Sequence, residues 1–180
     1  MTSITELLKR NETFAKTTDK KRLVELSKGQ KPHTIVLTCS DSRVVPEFIF
    51  GCGLGELFVV RVAGNVACDC DVLASVEYAA EHLGAKNLLV LGHTKCGAVC
   101  AACKGGNAEG NIAGLLSHIK PAVEKACGHE EAAIVENVRL QMKNLKEKSE
   151  IIMHLAREGK LSILGAIYDI SSGKVRALLG

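Results

Sequence analysis

The chemistry in this chain starts with its eight cysteines, at positions 39, 52, 68, 70, 96, 100, 103 and 127. Two of them are marked by their neighbours. Cys39 closes a β-branched run, Thr34-Ile-Val-Leu-Thr38, and is followed by Ser-Asp-Ser-Arg43. Cys96 lies three residues after His93 in Gly92-His-Thr-Lys-Cys-Gly97, just beyond a second apolar run, Asn87-Leu-Leu-Val-Leu91. An H-x-x-C turn lets a ring nitrogen and a thiolate converge on one ion, and two sulfurs with one nitrogen suit Zn²⁺. Three protein ligands leave a fourth position open, the arrangement of a catalytic rather than a structural zinc. Asp41 and Arg43 flank Ser42 beside that position. A carboxylate next to a guanidinium stays ionised and accepts hydrogen bonds. Asp41 can therefore accept the proton of bound water, while Arg43 holds it and competes with the metal for its oxygens. A lone cysteine after a strand is more often packing, and an isolated H-x-x-C carries little weight. C-x-D-x-R after one strand with G-H-x-x-C-G after another is a joint signal, and it points to Cys39, His93 and Cys96 as metal ligands.

The other thiols fit chemistry less well. Cys100 and Cys103 continue from Cys96 at spacings of four and three, on one helical face, and Cys68-Asp-Cys70 is a tight pair. An iron–sulfur cluster would ask for four thiolates at loop spacing. Burial as small apolar residues is the better reading. Cys52 and Cys127 belong to no pattern.

Positioning Cys39 and His93 on one crevice requires an open parallel sheet, in which ligands bind beyond the carboxyl ends of the strands. The apolar periodicity supplies one. Strands are expected at Thr34–Thr38, Leu57–Val62 and Asn87–Leu91, the last stopped by Gly92. Between the second and third, apolar residues at 72, 73, 76, 79, 80 and 83 make a helix from Asp71 to Leu83, with an Asp cap and Gly84 past its end. Strand, helix, strand implies a parallel crossover. Residues 3–27 read as one polar, loosely amphipathic helix ending near Gly29. Gly105-Gly106-Asn107 and Gly110 break the helical text after Cys96, and Asn111 can cap a helix through about 126. A long helix from about 130 carries Val135, Val138, Met142, Leu145, Ile152 and Leu155 as one stripe. Leu161–Tyr168 reads as a strand, with Val175–Leu179 returning as a hairpin across Ser171–Lys174. The result is one α/β domain over 1–180: a mainly parallel sheet flanked by helices, a carboxyl-terminal strand hairpin, and an amino-terminal helical arm over 1–30.

Composition narrows the partners. The chain has 180 residues, 47% hydrophobic and 24% charged, which suits a soluble globular domain and not a disordered one. A net charge of +3 without a Lys/Arg cluster leaves no footprint for nucleic acid. No apolar run approaches the ~20 residues of a membrane span. The amino end lacks the basic and apolar segments of an export signal, so a reducing, cytoplasmic setting is expected, where thiols serve as ligands rather than disulfides.

In these motifs the chain resembles the β-class carbonic anhydrases. Cys39-Ser-Asp-Ser-Arg43 and Gly92-His-Thr-Lys-Cys-Gly97 carry the likeness, supported by Gly55-Glu-Leu-Phe-Val-Val-Arg61, Ala63-Gly-Asn65, Glu136-Asn-Val138 and Gly165-Ala-Ile-Tyr-Asp-Ile170. The resemblance implies zinc on Cys39, His93 and Cys96 and an Asp41–Arg43 dyad. It also implies the pocket of the family's plant-like branch, with Gln30, Phe58, Tyr78 and Gly97 around the substrate and Ala63 where that branch commonly has Val. That pocket lies at a dimer interface, so a dimer or a dimer of dimers is implied, with the amino-terminal helix wrapping its neighbour. A second branch is switched by bicarbonate through a Trp three residues before the first cysteine; here Val36 stands there, and no such switch is expected.

The implied reaction is the reversible hydration of CO₂ to bicarbonate and a proton by a zinc-bound hydroxide that Asp41 orients. Two thiolates make the zinc a weaker Lewis acid than a three-His site, so activity is expected to rise with pH above neutrality. Phe58 supplies an apolar wall for CO₂, while Gln30 and the Gly97 amide meet its oxygens as charge develops. Two alternatives stand beside it: hydrolysis of carbon disulfide or carbonyl sulfide on the same scaffold, and a non-catalytic zinc module with Asp41 as fourth ligand.

Overall fold

The computed structural model describes residues 3–106 and 108–178, so Asn107 of the expected break and Leu179 of the expected hairpin lie outside the described residues. The chain divides into two compact units between Gln30 and Lys31.

The first unit holds α1 (Ile4–Thr17) and α2 (Lys20–Leu26). The single helix expected over 3–27 is interrupted, for a local reason. The Thr18 hydroxyl donates to the Phe14 carbonyl and the Asp19 carboxylate accepts the Lys21 N–H, so one helix ends and another is capped within three residues.

The second unit is built on a five-stranded sheet of order β2-β1-β3-β4-β5. Its strands are β1 (Thr34–Thr38), β2 (Leu57–Arg61), β3 (Asn87–His93), β4 (Ser162–Tyr168) and β5 (Val175–Leu178). The first four run parallel and β5 returns antiparallel to β4. Around them lie α3 (Pro46–Ile49), α4 (Cys70–Glu81), α5 (Gly97–Lys104), α6 (Asn111–Ser117), α7 (Lys120–Lys125), α8 (Glu130–Lys148) and α9 (Glu150–Arg157). Strand residues alternate between two cores: Ile35 and Leu37 join the larger cluster with Val138, Leu145 and Ile152, while Val36 joins Val44, Leu91 and Ala166. The β2-to-β3 crossover spans β1, which sits between them. Thr38 is in register with both Arg61 and Leu91, so the carboxyl ends of three strands share one edge.

Several element ends differ from the sequence reading. Gly92 does not stop β3, which continues through His93 in register with Ile167 and Tyr168. Glycine serves there because a Cβ would lie 2.6 Å from Val138 Cγ2, so α8 packs directly on the strand backbone. Asp69, not Asp71, precedes α4. Gly110 rather than Asn111 caps α6, and that helix stops at Ser117, before α7 opens at Lys120 with Pro121 in its first turn. The long carboxyl-terminal helix breaks at Ser149, whose hydroxyl accepts the Ile152 N–H and bonds the Glu77 carboxylate. No helix among the described residues is long and apolar enough to cross a membrane.

Candidate metal centre

β1 and β3 are adjacent, so the residues at their carboxyl ends are forced together. Cys39 leaves β1, His93 ends β3, and Cys96 follows three residues later; all three are buried. The turn that brings Cys96 back uses Lys95 at φ 56°, a left-handed conformation costing a non-glycine residue roughly 1–2 kcal/mol. Its carbonyl accepts a hydrogen bond from Arg43 Nη2 at 3.3 Å. The ligand atoms of Cys39, His93 and Cys96 lie within 4.8 Å of one another, the one such group among the described residues.

The donor set fits a zinc ion. The two sulfurs are 3.9 Å apart, and tetrahedral Zn–S bonds of ~2.3 Å place sulfurs about 3.8 Å apart. His93 Nδ1 donates to the Thr94 carbonyl at 3.0 Å, which leaves Nε2 as the unprotonated nitrogen. That Nε2 is buried and without a hydrogen-bond partner. A buried acceptor with nothing to accept, beside two sulfurs, asks for a cation. The thiols say the same. The hydrogen bond from Cys96, helped by the amides of Gly64 and Asp41, outweighs burial and holds the Cys39 thiol below its usual range. Cys96 is pushed far up, because ionising it would end that bond to Cys39 and add a second buried negative charge. Two thiolates side by side in this buried site would call for a positive ion between them.

Asp41 and Arg43 complete the cluster. Arg43 grips Asp41 with Nε on Oδ1 at 2.9 Å and Nη2 on Oδ2 at 2.7 Å, and its backbone N–H adds a third bond to Oδ1 at 2.9 Å. These bonds, the guanidinium's above all, hold the Asp41 carboxyl well below the usual carboxylate range. Asp41 Oδ2 lies 3.9 Å from His93 Nε2. Arg61 braces the same turn, donating from Nη2 to the Asp41 carbonyl at 2.7 Å and from Nε to the Cys39 carbonyl at 3.3 Å. Its position at the end of β2 was visible in the sequence; its carbonyl partners were not.

The other site residues expected from sequence are placed as follows. Phe58 is half-buried in β2 and meets Tyr78 of α4, with ring centroids 6.5 Å apart. Tyr78 is 48% exposed. Gly97 opens α5 with open space where a Cβ would be. Gln30 is exposed and ends the amino-terminal unit. The four cysteines expected as small buried residues are less buried than that: Cys70 is exposed, while Cys68, Cys100 and Cys103 are half-buried, with Cys100 donating to Glu130 Oε2 at 3.4 Å. Of the two without a pattern, Cys52 is half-buried and Cys127 exposed.

Residues 34–175 match the family model described as carbonic anhydrase. This chain belongs to the carbonic anhydrase family. A carbonic anhydrase of Pseudomonas aeruginosa is 37% identical over 170 residues, covering 86% of this chain and 77% of that protein. The solved β-carbonic anhydrase CcaA superposes with a TM-score of 0.90 at 30% identity, over 98% of this chain and 88% of that one. One of two tetrameric β-carbonic anhydrases from Sordaria macrospora gives a TM-score of 0.87 at 27% identity, over 96% and 94% of the two chains. The fold is that of the β-class, with the Cys39–His93–Cys96 group at its sheet edge.

Proposed function

We propose that this carbonic anhydrase interconverts CO₂ and bicarbonate at a zinc ion held by Cys39, His93 and Cys96. The observation that carries the reading is the unpartnered, buried Nε2 of His93 facing two buried sulfurs, with an arginine-anchored carboxylate alongside. Zinc there supplies a Lewis acid that makes water a nucleophile near neutral pH. Asp41 accepts a hydrogen bond from the attacking water and so aims its lone pair. Arg43 keeps Asp41 ionised and stops its carboxylate from turning. Both Asp41 oxygens are engaged by Arg43, which favours the catalytic reading over a zinc module with Asp41 as fourth ligand. The aromatic pair Phe58 and Tyr78 supplies the apolar wall for an uncharged linear substrate, and the Gly97 amide supplies a donor for its oxygens. Self-association is part of the proposal, since the similar Sordaria macrospora enzymes are tetrameric.

Stopped-flow CO₂ hydration on zinc-loaded wild type and Cys39→Ser tests it, with sulfide release from carbon disulfide and carbonyl sulfide measured in parallel. Activity on CO₂ that disappears together with zinc in the variant supports the reading. Full activity without zinc, or sulfide release in place of CO₂ hydration, refutes it.

A further inference from the structure

The Cys39 sulfur receives one hydrogen bond from the loop after β2: the Gly64 N–H, at 3.3 Å. That loop has an unusual backbone, with Gly64 at φ 69° and Asn65 at φ 48°. Glycine is the residue least able to keep one conformation unaided. Here it is confined from three sides. A Cβ would lie 2.6 Å from Ile119 Cδ1, so the Gly64 Cα sits hard against the residue that caps α7. On the amide side is Cys39. On the carbonyl side the Gly64 oxygen accepts a 2.8 Å bond from Asn137 Nδ2, 73 residues further along the chain.

Asn137 is held in turn. Its Oδ1 accepts from Gln141 Nε2 at 2.9 Å, and Gln141 Oε1 accepts the Ala67 N–H at 2.8 Å and Asn144 Nδ2 at 3.0 Å. Asn137 and Gln141 are 1% and 0% exposed, on the side of α8 that also buries Val138 and Leu145. Buried amides in an apolar core need every partner they have, and a satisfied network fixes orientation where apolar packing alone would not. The two amides from one helix clasp both ends of the segment Gly64–Ala67, and the near end of that segment carries the donor to Cys39.

We infer that Asn137 is a positioning residue for the metal: through Gly64 it aims an N–H at the Cys39 sulfur and keeps the loop closed over it, while Gln141 fixes the Asn137 rotamer. The inference rests on Cys39 being a metal ligand. Groups that orient metal ligands typically change metal affinity by roughly 10–100-fold when removed.

The test uses full-length protein loaded with Co²⁺, whose thiolate-to-metal absorption band reports on the sulfur. Asn137→Asp keeps the shape but turns an acceptor towards the Gly64 oxygen, and Asn137→Ala removes the donor. Both are expected to release cobalt to a chelator roughly 10–100-fold faster, with the band moved to lower energy because the sulfur has lost its N–H. Gln141→Leu should change both readouts in the same direction by less. Ile152→Ala, which opens the same core away from the loop, should leave the band where it is. An unmoved band and an unchanged release rate in a folded Asn137 variant overturn the inference, as does an equal change in Ile152→Ala. Failure of both Asn137 variants to fold also overturns it, because a support confined to one loop does not hold up the whole chain. A wild-type protein that takes up cobalt without any thiolate band refutes the metal-ligand reading itself, a result distinct from these.

Discussion

Gly92→Ala should damage this protein more than its chemistry suggests. The new methyl would sit 2.6 Å from Val138 Cγ2 and 3.1 Å from Ile167 Cδ1. Carbon atoms pack best at about 3.5–4.0 Å, so the overlap with Val138 is about 1 Å. Val138 is fully buried and, as a β-branched residue in a helix, has one strongly preferred rotamer, so it cannot turn aside. Either α8 backs away from β3 or the strand bends one residue before His93. Overpacking of this kind costs typically ~1–3 kcal/mol. Restricting the unfolded chain returns ~0.4–1 kcal/mol, leaving a net loss of up to about 2.6 kcal/mol with a central value of ~1.3 kcal/mol. At this chain length the central value lowers Tm by roughly 3–5 °C. Thermal denaturation followed by circular dichroism, on metal-loaded protein, measures it. Gly114→Ala is the matched control: it lies in α6 with nothing within 4 Å of a Cβ, so the same change should raise stability by ~0.5–1 kcal/mol. The packing argument fails if Gly92→Ala melts at or above the wild type.

Asp41→Asn should retain zinc while turnover falls by roughly 10²–10⁴-fold, since a neutral amide cannot take the proton and its N–H₂ opposes Arg43; metal analysis beside a hydration assay separates the two effects. Arg61→Met should lower activity and speed metal loss by freeing the Cys39 and Asp41 carbonyls, read by stopped flow and chelator challenge. Glu136 is bonded by Lys125 at 2.6 Å and Arg139 at 2.6 Å, and these bonds, Lys125's first, lower its carboxyl. A depressed carboxylate stabilises the fold above its unfolded value near ~4.3 and loses that contribution as pH falls through its lower folded value. Glu136→Gln should therefore be less stable than wild type at neutral pH, the gap closing in denaturant titrations below about pH 4.

The metal group was legible because its residues sit beside apolar strands whose β-branched content is unambiguous. Once β1 and β3 are parallel neighbours, Cys39 and His93 have nowhere else to go. Helix ends were harder. The break at Thr18–Asp19 depends on side chains that can either continue a helix or cap a new one, and the choice is settled by which carbonyls they reach. Gly92 reads as a stop by residue type, yet it is a strand residue because α8 needs the space. Asn137 and Gln141 look like ordinary polar positions on a long helix. Their partners, Gly64 and Ala67, lie more than 70 residues away, and no local pattern announces that the face is buried. Arg61 is similar, since backbone carbonyls carry no sequence signature.

Zinc K-edge X-ray absorption on the metal-loaded protein tests the centre most directly. Two sulfurs at about 2.3 Å and a ring nitrogen at about 2.0–2.1 Å are predicted. A shell of four sulfurs, or one without sulfur, would contradict the account.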